Sequence, residues 1–424
     1  IIEIENCYST GNVSNPDDYH TGGFIGYIAP SAGSYIGISD CYAEGDVSGN
    51  VNAGGFCGRT TVSGTCVIED CRAEGNVTSE QTTVGGFCGY NYTLSSSSAC
   101  SEIKNCTSTG DVLSRGLAGG FCGYNHSELG TVKIMNCSST GSVDENGSSP
   151  RVDMGGFVGY NGAEGASSKA WIVNCTSEGN VDGDIGVGGF CGLNYAQTAT
   201  AQALVDNCAA RGDVEGDDEN IGGFCGLNYA QAGYAYIKSS YATGDVSGPS
   251  LLTIEYLGGF CGRNYAELSD SRARINACYS SGSADADNYV GGFIGNNYSD
   301  EGESEITNCY SRNSSLVNGN NHVGGFIGIN FTTAPLLPAL ISNCYCAGKI
   351  NGNSNYGAFC GSNNVAANIV DCFYDKDIES TNNSIAIGKS TSDMKNVATY
   401  TNESKPDLDD AWDFSGNPYD DDRN

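Results

Sequence analysis

Charge is scarce in this chain, and positive charge is scarcer. Charged residues are 16% of the 424, against a typical ~25%, and 50 acidic side chains face 19 basic ones, for a net of −31. A field of that sign repels nucleic acid and attracts cations or basic partners, so no nucleic-acid role is expected. Long apolar runs are missing too. No stretch reaches the ~18 residues of a spanning helix, and no membrane span is expected. Histidine is nearly absent: His20, His126 and His322 lie far apart, and the 21 cysteines form no C-x-x-C pair. Structural metal sites draw on such spacings, so metal is a poor account of the cysteines. G-x-S-x-G, H-E-x-x-H and P-loop phrases do not occur. Carbohydrate enzymes on β-helical scaffolds use paired carboxylates in a groove, often with a basic neighbour. Here the acidic residues scatter among loops, and Arg59, Arg115, Arg211 and Arg263 share no single repeat position. The reading is non-enzymatic.

What the chain has in plenty is glycine, 61 residues, about twice the usual ~7%. Much of it falls in one phrase, G-G-F-x-G. Its variable x runs from Ile25, Cys57, Cys88 and Cys122 to Ile327 and Cys360, where Ala358 replaces the second glycine. A second phrase, Asn/Asp-Cys followed by small residues and Gly-Asn/Asp-Val, interleaves with it from Cys7, Cys41, Cys71 and Cys106 to Cys372, with Ser240 standing in once for cysteine. The period of about 33 residues marks a solenoid or array. Helical repeats of that period are excluded. No segment keeps i, i+3, i+4, i+7 apolar spacing, and each glycine would weaken a helix by ~1 kcal/mol. Segments such as "VKIMNCSST" alternate apolar and polar residues, as strands do.

The expected fold is therefore all-β: a tandem-repeat, parallel β-helix-like solenoid. It has about twelve coils over residues 1–374 and a capping segment over 375–424. Equivalent residues of successive coils stack ~4.8 Å apart, giving a rod on the order of 60 Å long. Because x exchanges Cys with Ile and Val, it is placed in the core. Phe, its neighbour, is then expected on a second surface or a corner. The asparagines from Asn91 to Asn363, three residues after x, are expected to hydrogen-bond along a column. Stacking alone accounts for the repetition.

"NCYSTGNVS" (6–14), "SYATGDVSG" (240–248) and "VGGFIGNN" (290–297) resemble the Glug repeat of bacterial surface proteins. The segment from "CFYDKDIES" to "AWDFSGNP", with Met394 and Trp412, is similar to the one that closes Glug arrays. The resemblance implies a secreted or surface-exposed repeat region with a structural or adhesive role, and no catalytic residue.

The cysteines admit several readings. If each Asn-Cys thiol pairs with the next x cysteine, the bridges begin Cys41–Cys57, Cys71–Cys88 and Cys106–Cys122. The opposite rule begins Cys57–Cys71 and Cys88–Cys106. Either rule strands several sulfurs, and the alternative is that all are buried thiols packed as small hydrophobes. Cys66–Cys100 is the best single disulfide candidate, since both precede the Asn-Cys phrase in adjacent repeats and should stack. The abundance of cysteine favours an extracellular chain, as do N-x-S/T sequons such as Asn146, Asn313, Asn382 and Asn402. No cofactor is expected. Calcium is the one cation to consider, at Asp17-Asp18, 215–220 or 285–288, but no calcium-loop motif is present and solvated loop tips account for these residues. The opening "IIEIENC" lies already inside the repeat, so the chain is expected to be a processed product or an excerpt of something longer. Its strand pattern at Ile1, Ile2 and Ile4 suggests an edge that another strand could extend head to tail. The functional expectation is a fibre subunit or surface stalk. The alternative is an adhesin that binds glycans or a host protein through a face bearing Tyr195, Tyr229 and Tyr265.

Overall fold

One coil shows how the repeat folds. Strand Thr65–Glu69 ends at Asp70, whose φ of 55° turns the chain into the short strand Arg72–Ala73. A glycine turn at Gly75 leads to Val77–Gly85, Phe87 makes a corner, and Cys88–Thr93 follows. The next coil starts at Cys100–Lys104. In the computed structural model, residues 1–395 are described apart from 95, 146–152, 250–255, 313–315, 334–337, 365–366 and 382–384. Asn146, Asn313, Asn382, Asn402 and Trp412 lie outside the described residues.

Every strand pairs in parallel with its own copy in the adjoining coils, so the molecule is a β-solenoid with four faces. Among the described residues the first face has 12 strands, the second 13 and the fourth 11; on the third, most coils contribute two strand segments. Eleven coils thus reach the fourth face. A twelfth begins with Asn368–Val370 and Phe373–Asp375, in line with the expected count. Ile387–Lys389 then adds one more strand to the second face, and a single turn, Thr391–Met394, is capped by Ser390. The described residues of 375–424 thus continue the second face of the solenoid.

Register is strict. Cys57, Cys88 and Cys122 are direct partners, as are Val158, Cys191 and Cys225. A main core of Phe, Cys and Ile runs the length of the rod. A valine-rich core lies under the third face, and an alanine core fills the bend between the fourth and first faces. The phenylalanines correct the expectation. They sit at a corner, but they point into the same core as x. Phe56 to Phe326 are 0% exposed, and successive rings stack 4.8–4.9 Å apart. The reason is that the fourth-face strand starts at x, so strand alternation does not extend back to Phe.

The third glycine of the phrase has its own task. The fourth-face ladder skips Gly89, so Cys88 and Asn91 both face inward although three residues apart. A Cβ on Gly89 would meet the carbonyl oxygen of Gly58 at 2.6 Å. The glycine of the second phrase is fixed by its neighbour coil. A Cβ on Gly110 would lie 2.0 Å from the Gly75 oxygen, whereas on Gly11, in the first coil, it would meet nothing within 4 Å. Close backbone approach dictates these glycines.

Two polar columns complete the stack. The expected asparagine ladder is present: Asn91 donates to Asn125 at 2.8 Å, and each side-chain amide passes the bond on through Asn161, Asn194 and Asn228 to Asn363. Many also donate to a carbonyl across the bend, as Asn161 does to Ala170. The Asn of the Asn-Cys phrase sits at left-handed φ, 52–55° at Asn105, Asn136, Asn174 and Asn207, which Asn adopts more readily than most residues. These side chains hydrogen-bond along the outside of the turn at 2.8–3.2 Å.

Candidate functional site

The two cysteine columns are the first candidates, and the structure corrects the pairing proposals. All 21 cysteines are free thiols. Within the columns, neighbouring thiols meet their own copies, as Cys88 meets Cys57 and Cys122 and Cys175 meets Cys137 and Cys208. The Cys88 thiol is pushed well above its usual range, first by hydrogen bonding to Cys122 and then by Cys57 and burial. Burial does the same to Cys175, beside Cys137 and Cys208. Neither pairing rule for Cys41, Cys57, Cys71, Cys88, Cys106 and Cys122 describes these contacts. Cys66 and Cys100 do not stack either. Ser101 is the register partner of Cys66, and Cys100 lies opposite Thr65. A slip of one residue sends the two side chains to opposite faces: Cys66 is fully buried, while Cys100 is partly exposed on the outer surface.

The second candidate is the fourth face, where outward positions two and four residues after x form parallel columns. Sequence reasoning picked out Tyr195, Tyr229 and Tyr265, and the structure brings them together. Their rings follow one another at 5.1 and 5.0 Å, and Tyr298 continues the row at 5.0 Å. The planes of Tyr229 and Tyr265 differ by 3°, so the rings stack along the rod. Tyr195 donates to Gln231 at 2.6 Å, and Tyr229 donates to Glu267.

Toward the N-terminal end the same face holds a tighter polar network. The Tyr90 hydroxyl and His126 Nδ1 are 3.0 Å apart, and His126 Nε2 lies 3.3 Å from Glu164, to which Tyr160 donates at 2.9 Å. The hydrogen bond from His126 holds the Glu164 carboxyl below its usual value. Burial pushes the Asp153 carboxyl up to about 7.

Sequence reasoning missed the arginines here. Arg59 and Arg263 do share a repeat position, two residues after Cys57 and Cys261, and both lie over tyrosine rings of this face. Counting from x rather than scanning the whole chain would have found them.

Among the described residues, no three His, Cys, Asp or Glu side chains are placed to hold a metal ion. No helix among them is long and apolar enough to cross a membrane. Ile1 and Ile2 are 93% and 57% exposed, while Ile4 packs against the main core. Strand Ile2–Glu5 pairs with Tyr35–Ser39.

The family model described as the GLUG motif matches residues 80–113, 286–316 and 319–351. The chain carries Glug repeats. Each matched Glug stretch takes in part of the third face, and coils outside the matches, such as the one holding Val187 to Ala196, follow the same course. No curated protein and no solved structure matches the chain.

Proposed function

We propose that this Glug-repeat chain is a non-catalytic extracellular rod that serves as a fibre subunit or surface stalk. One observation carries the reading: the residues that recur most faithfully are spent on contacts between successive coils. Phe packs on Phe, Asn bonds to Asn, and thiol meets thiol. From the first Phe to the last, ten ring spacings of ~4.8 Å give a shaft on the order of 50 Å. Small-angle scattering should give the profile of a rod; that of a sphere of equal mass would overturn the reading. In a fibre, a neighbouring molecule's terminal coil would pair with the edge of Ile2–Glu5 that faces away from Tyr35–Ser39, a head-to-tail contact that does not close. Ile2→Lys with Ile4→Lys should then lower the solution mass. An unchanged monomer in both chains would rule out the fibre and leave the stalk.

The tyrosine row supports a second reading, a surface adhesin. Because the rings stack on one another, the row offers hydroxyls and edges more than open faces. Glycan binding lost on changing Tyr195, Tyr229 and Tyr265 to Ala would favour the adhesin over the rod.

A further inference from the structure

One arginine of the fourth face stands in surroundings that folding alone does not explain. Arg263 carries its guanidinium 4.5 Å from the Tyr265 ring centre, 5.0 Å from Tyr298 and 5.2 Å from Tyr256. In a chain of net charge −31, four other arginines, Arg72, Arg211, Arg272 and Arg274, each reach a carboxylate. Arg263 has no ion pair among the described residues, and its Nε is buried without a hydrogen-bond partner. Glu219 and Asp300 border the cluster and Glu267 is engaged by Tyr229, yet none pairs with the guanidinium.

Two buried amides in the coils on either side are also incomplete. Asn296 is the register partner of Arg263 and is 5% exposed; its amide lies against the Tyr256 hydroxyl, but its Oδ1 has no partner. Asn220 is one coil before Tyr256 and 7% exposed, and its Oδ1 is also unpartnered. Buried acceptors left unpaired cost about 1–3 kcal/mol each, and native structures rarely keep them without a reason. A planar guanidinium with free N–H groups suits a carboxylate, which it can grip with two parallel hydrogen bonds. Free amide oxygens require donors, which a bare anion does not have and a sugar does. Arg59 stands in the same column, over Tyr90 at 4.6 Å and Tyr92 at 5.6 Å and without an ion pair among the described residues, although its Nε donates to Thr61 at 3.0 Å. Six coil steps separate the two arginines, on the order of 30 Å at ~4.8 Å per coil, so an extended chain could reach both.

We propose that the Arg263 cluster binds a carboxylate-bearing sugar unit of an acidic polysaccharide, with Arg263 on the carboxylate and Asn220 and Asn296 accepting from its hydroxyls. This goes beyond the rod reading and does not depend on it: a stalk and an adhesin could each carry the site. The test titrates the full chain, by calorimetry, with oligogalacturonate, sialyllactose and a glucuronate oligosaccharide, each beside its methyl ester, and with a sulfated oligosaccharide. The expected result is saturable binding of at least one acid, weakened tenfold or more by esterification and by Arg263→Gln. Arg272→Gln, whose guanidinium pairs with Glu303 on the first face, should leave it unchanged. If Arg263→Gln does not fold, Arg263→Lys keeps the charge without the paired grip and should weaken binding, and the ester comparison needs no variant. Failure of all three acids to bind, equal binding of acid and ester, indifference to both Arg263 variants, or binding of the sulfated sugar alone would each overturn the proposal.

Discussion

Two columns of cysteine run side by side through this solenoid, and their substitutes reveal that they do different work. In the x column, cysteine alternates with Ile and Val: Val158, Cys191 and Cys225 are successive partners, all fully buried in the main core. That is a hydrophobic position. In the Asn-Cys column the one substitute is Ser240, and its geometry explains why. The Cys137 thiol donates to the Met135 carbonyl at 3.1 Å, and its sulfur accepts the Cys106 N–H at 3.3 Å. Ser240 makes the same pair of bonds, donating to Lys238 at 2.7 Å and accepting from Cys208 N–H at 3.1 Å. Here the sulfur closes the left-handed turn and ties it to the adjacent coil. One residue type thus fills two roles, and only the replacements tell them apart.

Both columns share one liability, which gives the largest expected effect. Burial raises the thiols of Cys137, Cys175, Cys225 and Cys261 well above their usual values. When unfolded, each ionises near ~8.5; when folded, it stays protonated. The unfolded state therefore holds fewer protons above that pH, and stability falls as pH rises, by about 1.4 kcal/mol per unit for each thiol. Urea midpoints should hold below pH 8 and fall steeply between pH 9 and 11. A flat profile would mean that the columns are not buried thiols.

The next effect separates the columns. Cys175→Val removes the acceptor of the Cys137 N–H at 3.4 Å and the donor to the Val173 carbonyl. It should lower stability by about 1–3 kcal/mol. Cys191→Ser puts a hydroxyl among Val158, Cys225 and the phenylalanines, and should lower it by about 1–2 kcal/mol.

A smaller effect concerns reactivity. Among thiols of the native protein, the exposed Cys7 should react with a maleimide first, Cys100 more slowly, and the buried columns only after denaturation. Labelling of Cys175 or Cys191 at the rate of Cys7 would contradict their burial.

The period, the strand character and the asparagine ladder were legible because each depends only on a residue meeting its own copy. Legibility failed where a bend or a slip intervened. Phe87 was expected at a corner, where it lies, but not in the core it fills, because strand alternation does not extend back past Cys88, and Gly89 flips it beyond. Cys66 and Cys100 were judged a stack because they lie near the same phrase, but one residue of slip separates their faces. The Arg263 cluster was hidden for another reason: Tyr256, Arg263, Asn296 and Tyr298 come from two coils and three columns, and only the register gathers them.

The central claim is that each repeated residue is fixed by its column. The most direct test is four variants measured by urea unfolding: Cys175→Ser, Cys175→Val, Cys191→Ser and Cys191→Val. The rank order should cross, with Ser within about 1 kcal/mol of the parent at 175 and Val within about 1 kcal/mol at 191, while the converse pair is clearly weaker. If Val were the better replacement at both positions, or Ser at both, the two columns would not differ and the account would be wrong.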